Sequence, residues 1–156
     1  MMRWFDRDYV TGGLTDESWS ARQTDYAAHI ETIRPLLTDG AEHLVTSIQL
    51  HDGQVAEWTY QPDASFVVRL LVGDLQRGYE WLTLGYGDAS LVSTTESDLG
   101  RWWSAELPNE IVEDEVDWIG DHRYEHRMLL WPVGEVGVRF STLVVGRQPA
   151  TSSDRR

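Results

Sequence analysis

The spacing of the apolar residues changes once along the chain, and that change constrains the fold more than any other feature. Between Thr15 and Leu37 apolar side chains recur at helical intervals. Trp19, Tyr26, Ile30, Ile33 and Leu37 are separated by seven, four, three and four residues, forming one stripe of a 3.6-residue repeat. From His51 onward the repeat falls to two, in short runs rich in Val, Leu, Phe, Tyr and Trp that are separated by Gly, Asp and Pro. One long helix followed by strands with short connections predicts an α+β fold. Its expected form is an antiparallel meander of about six or seven strands with the amphipathic N-terminal helix packed on one face.

Local signals set the boundaries. Thr15 is the predicted N-cap, with Asp16 and Glu17 at the positive end of the helix dipole, and Pro35 ends the helix. Residues 3–10 read as a short strand or extended arm, and 41–47 as a helical turn. The predicted strands are 54–60, 65–73, 79–86, 89–93, 110–119, 122–131 and 135–146, with a further helical turn over 98–105. Residues 1–146 make a single α+β domain on this reading. The tail 147–156 lacks apolar content and is expected to be disordered.

Composition narrows the function classes. The 156 residues carry 26 acids against 13 bases, all Arg, for a net charge of −13. A basic footprint for nucleic acid or an anionic membrane is missing, so neither is an expected partner, whereas a basic protein or a cation is compatible with the charge. With no Cys there is no disulfide framework, thiolate metal site or cysteine nucleophile. The charged start and the lack of a run of roughly 18 apolar residues predict a soluble cytoplasmic protein. No HExxH, P-loop, GxGxxG or nucleophile-elbow pattern occurs, so no metal and no cofactor is expected.

The acids are concentrated. Residues 94–121 hold nine of them and one base, Arg101, and the centre of that window reads EIVEDEVD. On a strand, Glu113, Glu115 and Asp117 share one face, with Val112, Asp114, Val116 and Trp118 on the other. A two-residue loop at Gly120-Asp121 would set Asp114 opposite Arg127, Glu115 opposite His126 and Trp118 opposite Arg123. This leaves two readings, a solvated face paired with the next strand or a surface that recognises a basic protein or binds a cation. Trp102 and Trp103 are consecutive, so one of them is expected to be exposed beside the acids. The candidate binding residues are therefore Trp102, Trp103, Glu113, Glu115 and Asp117. His51-Asp52 reads as a turn entering a strand, with an oriented catalytic base as the weaker alternative. His122 and His126 lie on one strand face about 13 Å apart, too far to share a metal.

The opening Met2-Arg3-Trp4-Phe5, Leu50–Gly53 (LHDG), Glu113–Asp117 (EDEVD) and Tyr124–Leu130 (YEHRMLL) together resemble a group of small bacterial proteins sharing a domain of unknown function, whose members often have Ala in place of Gly53. The resemblance implies an α+β fold and a bacterial cytoplasm but no activity. A weaker likeness is to immunity proteins of bacterial toxin systems. The expected function is a non-enzymatic protein-binding or inhibitory module. The alternative is a small hydrolase or cation-dependent enzyme using His51, Asp52 and the clustered carboxylates.

Overall fold

A computed structural model describes residues 1–102 and 109–155, without the side chains of Ser97, Arg101 and Trp102. The helical stripe becomes α2 (Asp16–Ile33), extended by a 3-10 turn over Arg34–Leu36. Thr15 caps it, its hydroxyl accepting from the Ser18 amide at 3.2 Å. Two single turns accompany it, α1 (Arg7–Val10) and α3 (His43–Thr46). The alternating region forms β1 (Gly53–Gln61), β2 (Ser65–Asp74), β3 (Gly78–Gly87), β4 (Ser90–Val92), β5 (Glu110–Gly120), β6 (Arg123–Trp131), β7 (Glu135–Phe140) and β8 (Thr142–Ala150). A fourth helix, α4 (Glu96–Trp102), follows β4. The fold is α+β, and the strands form one eight-stranded antiparallel sheet in the order β4-β7-β6-β5-β1-β2-β3-β8.

The two ends of that order are joined by the chain itself. Asp88 and Ala89 connect β3 to β4, and Ser141 alone connects β7 to β8, while β3 pairs with β8 and β4 with β7. The two pairs are halves of one bent ribbon. At its corner the Ser141 amide donates to the Gly87 carbonyl at 3.0 Å, and Asp88 takes a left-handed φ of 50°. The sheet therefore curls, and side chains from strands distant in the order meet inside it. Tyr86 of β3 lies 5.0 Å from Phe140 of β7, ring to ring, and hydrogen-bonds His126 of β6. Phe66, Leu84, Tyr86, Tyr124, Val138 and Phe140 form the centre of this core, and Ile30, Ile33, Leu37 and Leu44 close it from the helical side.

The contact of α2 with the sheet falls on β5, where the sheet is incompletely paired. β1 and β5 are in register only at Gly53/Ile111 and Gln54/Glu110 before they part. Beyond that point the Val116 amide has no strand partner and donates to the Tyr26 hydroxyl at 2.9 Å. The buried residues of α2 are Ile30 and Ile33, both in its C-terminal half. Trp19, expected in the core stripe, is 41% exposed and stacks on Tyr9 at 5.3 Å.

Three expectations are corrected. Residues 3–10 form no strand: Asp6 caps the turn α1, and Met2, Trp4, Phe5 and Tyr9 make a second small core with Leu129, on the face of the β5–β6 hairpin opposite Val116 and Met128. The predicted hairpin exists with a register one residue away, because Asp121 and His122, both left-handed, make the turn and a bulge falls between Trp118 and Gly120. Glu115 consequently faces Arg127, and His126 faces Val116. The tail is ordered through Arg155. Arg147–Ala150 pairs with Tyr79–Leu82, and Ser152–Asp154 makes a 3-10 turn whose Asp154 caps Thr151. Arg147 binds Glu80 and the Ser47 carbonyl, and Arg155 binds Glu110 at 3.0 Å. Backbone ladder bonds and arginine pairs hold this segment, neither of which depends on apolar content.

Truncation after Gly146 removes those ladder bonds and both arginine anchors. The melting temperature should fall by more than about 4 °C, corresponding to a loss of the order of 1–2 kcal/mol. An unchanged melt would show that the tail adds nothing to the folded state.

Candidate functional site

The acids proposed as a surface are arranged around a charge inside the protein. Glu115 is completely buried. Its Oε1 accepts the amides of Arg3, Trp4 and Phe5 at 3.0, 2.6 and 2.7 Å, Oε2 accepts Arg3 again at 2.8 Å, and Arg127 approaches Oε2 at 3.3 Å. Three consecutive amides aimed at one carboxylate form an anion-binding nest, filled here by the protein's own side chain. Arg127 also binds Glu125 at 2.5 Å and lies 3.7 Å from Asp117, which pairs with His29 of α2 at 3.1 Å. Glu125 is shared with Arg139 at 2.7 Å. Burial pushes the Glu125 carboxyl up, but the two arginines outweigh it and hold it below its ordinary value.

Glu113 is half-buried on the same face. Burial pushes its carboxyl up to about 7; His51 opposes that shift, and the charges of Asp114 and Glu115 add to it. The strand face of Glu113, Glu115 and Asp117 is thus covered by the N-terminal segment and reached by α2, and it is not a continuous solvated patch. Trp102 ends α4, its side chain lying outside the described residues, as does the whole of Trp103. The acidic-aromatic arrangement expected around them is not brought together among the described residues.

His51 and Asp52 form the turn into β1. Asp52 takes a φ of 62°, and His51 Nδ1 sits 2.6 Å from the Val112 carbonyl. A groove of 410 Å³ beside them also contains Asp74 and Glu80. Both carboxylates have structural work: Asp74 accepts the amides of Gln76 and Arg77, and Glu80 holds Arg147. Among the described residues no three His, Asp or Glu side chains converge as metal ligands. None of the described helices is long and apolar enough to cross a membrane.

Sequence spacing did not reveal a polar thread through the core. The Tyr86 hydroxyl lies 2.7 Å from His126 Nδ1, and His126 Nε2 lies 3.0 Å from Asp114 Oδ2. Burial, aided by the Asp114 charge, keeps Tyr86 protonated far above the usual phenol range. A neutral imidazole then satisfies both neighbours, accepting from Tyr86 at Nδ1 and donating to the carboxylate from Nε2. His126 and Tyr86 are buried, and Asp114 is the end that reaches solvent. At the hairpin tip, Trp118 and Ile119 are 38% and 41% exposed beside the Asp121-His122 turn, where His122 lies 4.0 Å from Asp39.

No family model, curated protein or solved structure matches the chain.

Two variants separate the roles of neighbouring acids. Glu115→Ala leaves three amides without their acceptor and removes one of the carboxylates around Arg127, and should cost about 3–5 kcal/mol in denaturant unfolding. Glu113→Gln should act in the opposite sense and only at high pH. With a folded value of about 7 above an ordinary 4.5, the stabilisation from protonated Glu113 is complete below 4.5 and lost as pH rises through 7. The Gln variant should match wild type near pH 5 and melt higher near pH 8.5; equal melts at both would show that Glu113 titrates normally.

Proposed function

We propose that this protein is a non-catalytic protein-binding module for a basic partner, inhibitory in the manner of an immunity protein, and that it binds through the tip of the β5–β6 hairpin. The observation that carries this reading is the exposed pair Trp118 and Ile119 beside the acids Asp39 and Asp121. Tryptophan in such a setting supplies the buried anchor of an interface, and surrounding acids steer a basic partner toward it. Leu36, also exposed, follows the helix into the loop whose Thr38 amide binds Tyr124, the residue opposite Trp118. This adds apolar area to the same end of the protein. The net charge of −13 supports long-range attraction of a cationic protein and opposes nucleic acid and anionic membrane. The carboxylates near His51 have structural partners, which weighs against the hydrolase alternative.

The test is affinity capture at low salt from a bacterial lysate, identification of the captured protein, and titration with the purified partner. A basic partner should be recovered and released by salt, since exposed charges are screened beyond about 10 Å at 0.1 M. Trp118→Ala should weaken binding by more than tenfold, chiefly through faster dissociation. Equal affinity for wild type and Trp118→Ala, or binding indifferent to salt, would overturn the assignment.

A further inference from the structure

β1 and β5 part beyond Gln54/Glu110, and α2 packs against β5 without filling the space between it and α3. A cleft of 730 Å³ remains, walled by Phe5, Tyr26, Ile30, Leu44 and Val45, with Asp114 contributing its carboxylate. This volume lies in the range of small-molecule sites, and the lining joins an apolar wall to polar side chains of α2 and to Arg34 on its rim. We propose that this cleft binds a small organic cation, its ammonium group paired with Asp114 and its apolar body lying along α2.

Four observations support the assignment. First, Asp114 lines the cleft, and among the described residues His126 is the one hydrogen-bond donor to its carboxylate, acting on Oδ2, so Oδ1 retains its acceptor capacity. A partly buried carboxylate with acceptor capacity to spare is stabilised by a charged donor more than by a neutral one. Second, the carboxylate is held in place, because His126 is itself fixed by Tyr86 within the closed core. Such preorganisation removes an ordering cost from binding. Third, Arg34 on the cleft's rim is engaged by Glu31 at 2.6 Å, which leaves the Asp114 carboxylate as the lining charge without a cationic side chain paired to it. An anionic ligand would meet repulsion there. Fourth, the Tyr26 hydroxyl of the wall is occupied as acceptor by the Val116 amide, and burial and the Asp114 charge keep it protonated, so it adds no second charge beside Asp114. This site is separate from the hairpin tip and does not depend on the binding reading above.

The probes are 2-phenylethylamine and its neutral counterpart 2-phenylethanol, titrated into the full chain at pH 7 by calorimetry, with ¹⁵N signals of the His126 imidazole followed in parallel. The amine should bind at least tenfold more tightly than the alcohol, Asp114→Asn should remove that preference, and the amine should shift the His126 Nε2 signal in the wild-type protein. Equal binding of amine and alcohol, or a preference that survives in a folded Asp114→Asn, overturns the proposal. Should the variant fail to fold, the wild-type His126 signal decides: a shift with the amine but not with the alcohol supports the site, and an unmoved signal rejects it.

Discussion

The carboxylate of Glu115 lies inside the protein, where an ionised group survives only if its lost hydration is replaced. The replacement comes from the opposite end of the chain: the amides of residues 3–5 converge on it, and Arg127 supplies the countercharge. That arrangement fastens the N-terminal segment across the β5–β6 hairpin. The fastened segment then carries Met2, Trp4, Phe5 and Tyr9 onto Leu129 and brings Trp4 within 4.6 Å of the His29 ring on α2. One buried charge thus couples the chain start, the hairpin and the long helix.

The second organising element is the bent ribbon of β3–β4 and β8–β7. Because it supplies both ends of the sheet order, the sheet must curl, and curling gathers the aromatic residues of β2, β3, β6 and β7 into one centre. Close backbone approach is needed at the rim. The Leu143 amide donates to the Asp39 carbonyl, and Gly40, with a φ of 94°, lies so near Leu143 that a Cβ there would fall 1.9 Å from its carbonyl oxygen. The same curl aligns Tyr86, His126 and Asp114, placing a polar thread between the apolar core and the cleft beside α2.

The acidic segment shows how composition and function diverge. Nine acids against one base in a single window suggest an outward-facing charged surface, yet at the window's centre Glu115 is internal, Asp117 is paired and Glu113 is pushed toward neutrality by burial. The partners of these groups are backbone amides and arginines far away in the chain, so no local pattern announces them. The exposed aromatic of the hairpin is Trp118, at the strand end where the bulge turns the chain outward.

Several features were legible in the sequence because they depend on neighbours within a few residues. The 3.6-residue spacing and Thr15 define α2; alternation and Gly/Asp punctuation define the strands; the pairing of β5 with β6 follows from their short connection. Register was not legible, since Asp121 and His122 both accept left-handed geometry and one bulged residue exchanges every cross-strand partner. Nor was the β8 extension, because ladder bonds at a sheet edge join backbones whatever the side chains are. Alternation told which residues of β5 share a face. Only tertiary structure decided what covers each face, with the N-terminal amides over Glu115 on one side and the curled sheet around Asp114 and His126 on the other, because burial is conferred by segments distant in sequence.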